Sequence, residues 1–118
     1  MRSRYFLNLA LFAAAALALV AGTVHAGDAP AADAAQQIAI YNYKFSPEVL
    51  TIKAGTTVIW TNKDEVPHTV ASSDKRFTSS TGLDTGEQYS YTFTTAGSYE
   101  YFCTLHPFMK GKVVVTDK

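Results

Sequence analysis

At 118 residues the chain has room for one small domain and not for two. Ten basic residues balance ten acidic ones, so no charge excess is present to draw in nucleic acid or anionic lipid. A lone cysteine excludes an internal disulfide framework; that thiol is either buried and inert or chemically employed.

The chain opens with Met1-Arg2-Ser3-Arg4, a short basic start, and an apolar run follows to about Val20, broken only by Asn8. Small residues then lead to Val24-His25-Ala26. A basic start, an apolar centre and a small-x-small end describe a secretory signal peptide, with the cut expected after Ala26. The uninterrupted stretch Leu9 to Val20 is short for a bilayer span. No cysteine follows it to take a lipid anchor. An exported, periplasmic product is therefore expected, with no stable membrane association after cleavage. Without residues 1–26 the chain keeps eight basic and ten acidic residues, a formal charge of −2. Its histidines are then His68 and His106, its cysteine Cys103 and its methionine Met109.

Residues 27–37 (GDAPAADAAQQ) are small and polar and read as a flexible tether. From Ile38 the texture becomes β-branched and aromatic, so a single folded domain is expected over 38–118. "IAIYNYKFSP" reads as extended chain, and "VLTIKAGTTVIWTN" as two strands parted by a turn at Ala54-Gly55. "HTVASS" is a further short run. Asp74 to Glu87, rich in Ser, Thr, Gly and Asp, reads mostly as loop. In "QYSYTFT", Tyr89, Tyr91 and Phe93 alternate with Ser90, Thr92 and Thr94, which gives a strand with one buried face. After a turn at Ala96-Gly97, "SYEYFC" sets Tyr99, Tyr101 and Cys103 on one face. Gly111 is expected to turn the chain into a last strand, "GKVVVTD". Seven to eight short strands with no helical period predict an all-β sandwich or barrel.

The soft side chains are concentrated. Cys103, His106 and Met109 recur at every third position of one loop, and Pro107 restricts the backbone of His106. His68, after Pro67 at the start of another strand, can reach the same point if the sheets pack face to face. One thiolate, two imidazoles and one thioether form the ligand pattern of a blue-copper electron-transfer site. Zinc tolerates Cys and His but has no need of a thioether. Haem attachment requires a second cysteine. A cysteine nucleophile and its base usually come from distant parts of a chain, whereas Cys103 and His106 share one loop.

The stretch from about Ile38 to Thr116 resembles the cupredoxins, and among them the amicyanins. Their ligand loop C-T-P-H-P-F-M, followed by R/K-G-K-V-V-V, stands here as Cys103-Thr-Leu-His-Pro-Phe-Met109-Lys-Gly-Lys-Val-Val-Val115, with Leu105 in place of proline. Their W-x-N…P-H stretch stands as Trp60-Thr61-Asn62 and Pro67-His68. The resemblance implies a Greek-key sandwich in which His68, Cys103, His106 and Met109 hold one copper ion cycling between Cu(II) and Cu(I). It also implies that Asn62 hydrogen-bonds across to Thr104, orienting the ligands.

The function expected is a monomeric electron carrier with no reaction of its own. Its partners would be redox proteins of the dehydrogenase or cytochrome c type. They would dock briefly on an apolar rim of Val66, Pro67, Leu105, Pro107 and Phe108 around His106, steered by Lys63, Asp64, Glu65 and Lys110. The alternative is an exported copper-binding protein for storage or delivery; the Met- or His-rich tract that would favour delivery is missing from the sequence.

Overall fold

The computed structural model describes residues 34–117. The expected signal peptide and most of the tether lie outside the described residues. Among the described residues eight strands run in chain order: β1 (Gln36–Tyr41), β2 (Lys44–Ser46), β3 (Val49–Lys53), β4 (Thr56–Asn62), β5 (Ala71–Ser72), β6 (Gln88–Phe93), β7 (Gly97–Phe102) and β8 (Lys110–Thr116). The first strand begins at Gln36, two residues ahead of the change in composition at Ile38. Polar Gln36 and Gln37 enter it because β4 offers a pairing edge, with Gln36 opposite Val58 and Gln37 opposite Ile59.

Two four-stranded sheets form a sandwich. One has the order β2-β1-β4-β6 and the other β3-β8-β7-β5. Each contains one parallel pair, β1 with β4 and β3 with β8; the remaining pairs are antiparallel. Alternate residues face inward, as a pleated strand requires. Ile38, Ile40, Phe45, Val58, Trp60 and Phe93 come from the first sheet and Ile52, Tyr99, Tyr101, Val113 and Val115 from the second. The Tyr89/Tyr91/Phe93 face does turn inward, though only Phe93 is fully covered.

Trp60 is the hub of this core. It lies nearly parallel to Phe77, with centroids 6.3 Å apart. It meets Tyr101 edge-on at 5.5 Å and lies tilted by 30° against Tyr89 at 5.8 Å. Phe77 belongs to the polar loop after β5 and is buried, so that loop carries a core residue over the open edge of the sandwich. Aromatic rings remove large apolar areas from water, which compensates for the small size of the domain and the absence of a disulfide.

Gly111 has a different role from the one its position suggests. It lies inside β8, paired with Tyr101. A Cβ there would stand 2.3 Å from the end of the Tyr101 phenol. The glycine gives the ring room; it does not turn the chain. The Tyr101 ring is enclosed by Trp60, Phe45 and this glycine. Burial pushes its phenol up to about 12, with Glu48 adding to the rise and Trp60 opposing it.

A folded-state pKa above the unfolded value near 10 stabilises the fold fully below about pH 10 and is lost as pH rises towards 12. Chemical denaturation of the protein and its Tyr101→Phe variant across pH 9–12 is therefore expected to diverge. The wild type loses on the order of 2 kcal/mol over that interval that the variant keeps. Parallel pH profiles would show that the phenol does not hold its proton in the fold. Gly111→Ala is expected to lose about 1–3 kcal/mol by overpacking against Tyr101.

Candidate metal centre

One end of the sandwich is built from four connections: the β1–β2 turn, the segment from β4 to β5, residues 83–87 and the β7–β8 loop. The β4–β5 segment is anchored first. Asn62 is fully buried at the end of β4. Its amide donates to the carbonyls of Val66 and Leu83, both at 2.8 Å, and its Oδ1 accepts the Asp64 N–H at 2.9 Å. Asn62 does not reach Thr104. Its three bonds are all spent on its own turn and on Leu83, so the sequence-based assignment of this side chain is corrected.

The link to Thr104 is made by Thr69 instead. Its Oγ1 accepts the Thr104 N–H at 2.8 Å and lies 2.8 Å from the Thr104 hydroxyl. The register explains this. Ala71 pairs with Phe102 and Ser72 with Tyr101, so continuing the antiparallel ladder sets Thr69 opposite Thr104. His68 thus arrives along the same sheet as Cys103. A backbone bridge to Leu83 fixes it further, with N–H···O distances of 3.1 and 2.8 Å.

The loop after β7 closes on itself. The Cys103 N–H donates to the Met109 carbonyl, the His106 N–H to the Cys103 carbonyl and the Met109 N–H to the His106 carbonyl. Two short turns thus close the loop between Cys103 and Met109. Cys103 and Met109 are buried, and His106 is half-buried. Leu105 is 54% exposed and takes no part in these bonds, so the loop closes without a proline at that position.

His68, Cys103 and His106 converge, with ligand atoms all within 4.8 Å of one another. Nδ1 of each histidine stands 3.7 Å from the Cys103 sulfur. That is long for a strong hydrogen bond. It is the spacing of two donors that share one ion at roughly 2.0 and 2.3 Å, about 120° apart. The Thr69 N–H points at the sulfur from 3.4 Å. The far nitrogen of His68 is engaged elsewhere: Nε2 lies 2.7 Å from the Asp64 carboxylate, which leaves Nδ1 for an ion. The donor set therefore fits a soft transition metal.

Asp64 was legible in the sequence only as a surface charge. It is committed inward, with a side chain 10% exposed. Burial pushes its carboxyl up, but the N–H groups of Tyr43 and Asn42, together with His68, outweigh burial and hold it below the usual carboxylate value. It is not free to steer a partner. Tyr43, like Thr69, is a residue that sequence reasoning missed. From the β1–β2 turn its ring meets His106 edge-on at 5.0 Å and His68 at 5.6 Å.

Comparison with known proteins agrees with this geometry. The family model of the cupredoxin-like domain matches residues 9–115. Amicyanin-alpha of Methylorubrum extorquens is 42% identical over 117 residues, covering 91% of this chain and 92% of that protein. Amicyanin of Paracoccus versutus is 44% identical over 98 residues, covering 78% of this chain and 71% of that protein. Among solved structures, a Cu(I) amicyanin variant aligns with a TM-score of 0.67 at 37% identity, over 70% of this chain and 82% of that one. A purple cupredoxin from Nitrosopumilus maritimus aligns with a TM-score of 0.65 at 38% identity, over 69% and 99% respectively.

Asn62→Ala would leave the Val66 carbonyl and the Asp64 N–H without their partner and the Leu83 carbonyl with the His68 N–H alone. The expected cost is about 2–4 kcal/mol, measured by urea denaturation of the metal-free protein. An unchanged midpoint would mean that the segment carrying His68 is held by other contacts.

Proposed function

The chain belongs to the cupredoxin family, and on that premise we propose that it carries single electrons between redox proteins through one copper ion. The ligands are His68, Cys103, His106 and Met109. The carrying observation is the convergence of His68, Cys103 and His106 at the end of a rigid sandwich, with an N–H already aimed at the sulfur. Copper held there supplies a one-electron couple. The chain's own contribution is to hold the donors. Thr69 and Asn62 fix the segment that carries His68, Asp64 fixes the orientation of its ring, and the closed β7–β8 loop sets the other three. Donors fixed this firmly move little between oxidation states. The buried thioether of Met109 favours copper over zinc.

The signal-like residues 1–26 support export to the periplasm, and residues 38–118 make up the working domain, acting as a monomer. His106 is the ligand nearest the surface. Around it lie exposed Leu105, Pro107, Phe108 and Pro67, with Phe108 70% exposed and Tyr43 added by the fold. This apolar rim supports brief docking of a dehydrogenase or a cytochrome c type partner, and Lys63, Glu65 and Lys110 remain available for steering. The site is given to electron transfer, with no substrate to transform.

Copper-loaded protein is expected to show an intense thiolate-to-copper absorption that reductant bleaches and oxidant restores, and Cys103→Ser is expected to abolish it. A colourless complex that cannot be reoxidised would favour storage or delivery instead. Leu105→Glu and Phe108→Glu are expected to keep that absorption while slowing electron exchange with a partner at least tenfold. Unchanged exchange rates would place docking elsewhere.

A further inference from the structure

We propose that Tyr43 is a positioning residue for the two ligand imidazoles, held over them by a strap from Asp64 to the β1–β2 turn. The inference rests on the ligand assignment above. The turn joins paired Tyr41 and Lys44 through two residues, Asn42 and Tyr43. Both have positive φ, 52° and 59°. A two-residue hairpin of this hand favours Asn followed by Gly, because a side chain at the second position is crowded by its own backbone. Here that position holds a tyrosine. Burial does not account for it, since Tyr43 is 41% exposed.

What the ring gains is contact with the site. It stands edge-on to His106, with centroids 5.0 Å apart at 84°, and to His68, 5.6 Å apart at 88°. Phe108 lies 6.5 Å away on the same side. The backbone is held by one carboxylate. Asp64 Oδ1 accepts the Asn42 N–H at 2.6 Å, and Oδ2 accepts the Tyr43 N–H at 3.0 Å. The same Oδ2 stands 2.7 Å from His68 Nε2. The contacts close a circuit from His68 through Asp64 to the Tyr43 backbone, and from the Tyr43 ring to His106. His106 comes from a loop and is only half-buried, so the ring supplies a wall that the loop itself lacks. Strained backbone maintained at a site by surrounding bonds is a recognised sign of a functional role.

Tyr43→Gly separates the two effects, because it relieves the turn and removes the ring. Three readouts apply, with Tyr43→Phe as the conservative control. The metal-free glycine variant is expected to unfold at the same denaturant concentration as the wild type or a higher one. Its His68 and His106 imidazole resonances are expected to move, since they lose the ring-current field of Tyr43. Copper is expected to pass to a Cu(I) chelator about threefold to tenfold faster, the size of one lost edge-to-face aromatic pair. Tyr43→Phe is expected to match the wild type in all three. The proposal is overturned if Tyr43→Gly leaves resonances and copper loss unchanged, or if Tyr43→Phe behaves like Tyr43→Gly. If the wild type takes up no copper, the electron-carrier reading fails, and the imidazole resonances of the metal-free protein then decide this proposal alone.

Discussion

The Thr69 hydroxyl, accepting the Thr104 N–H at 2.8 Å, ties together the two segments that carry His68 and Cys103. Those residues are 35 positions apart in sequence. β5 is only two residues long, too short to hold its segment by the ladder alone. The Thr69–Thr104 contact extends the ladder by side chain where backbone pairing ends, and the Thr69 N–H then falls on the sulfur. Remove that register and the donors no longer share a point. A buried hydrogen bond of this kind has a modest net worth, but an unpaired buried N–H is costly, so the arrangement is held more by the penalty for leaving it than by its own strength.

The remaining contacts work in the same way, by side chains that cap or strap backbone. Asn62 folds its own turn and reaches Leu83. Asp64 gathers two N–H groups and a ring nitrogen. None of these is a metal donor. Together they hold the donors in place from behind, while the face around His106 is left apolar and open. The molecule is thus stiff and polar beneath the site and greasy above it.

The sequence showed some of this clearly. Period-two alternation identified β6 and β7 and their inward faces, and the C-x2-H-x2-M spacing marked the ligand loop. Both signals are local. Contacts made across the fold were less legible. Asn62 and Thr69 are each polar residues beside a strand end, and only the β5–β7 register tells which of them meets Thr104. Asp64 sits between Lys63 and Glu65 and looked like one more surface charge; its partners lie about 20 residues upstream as well as four downstream. Tyr43 looked like an ordinary strand aromatic because its positive φ leaves no mark in composition. Gly111 resembled a turn residue because nothing local announces that Tyr101 will press against it.

β8 is the last of the described strands, yet it lies inside its sheet, between β3 and β7. β1, the first described, also lies inside its sheet and pairs in parallel with β4. Pairings between distant segments form late, because the chain must close long loops before any contact repays that entropy. Neither β3 nor β7 can complete its sheet until residues 110–116 have emerged. A chain made from its N-terminus therefore leaves β3 and β7 without their shared central partner until residues 110–116 have been made, so the sheet that carries Cys103 closes only after the ligand loop itself has formed.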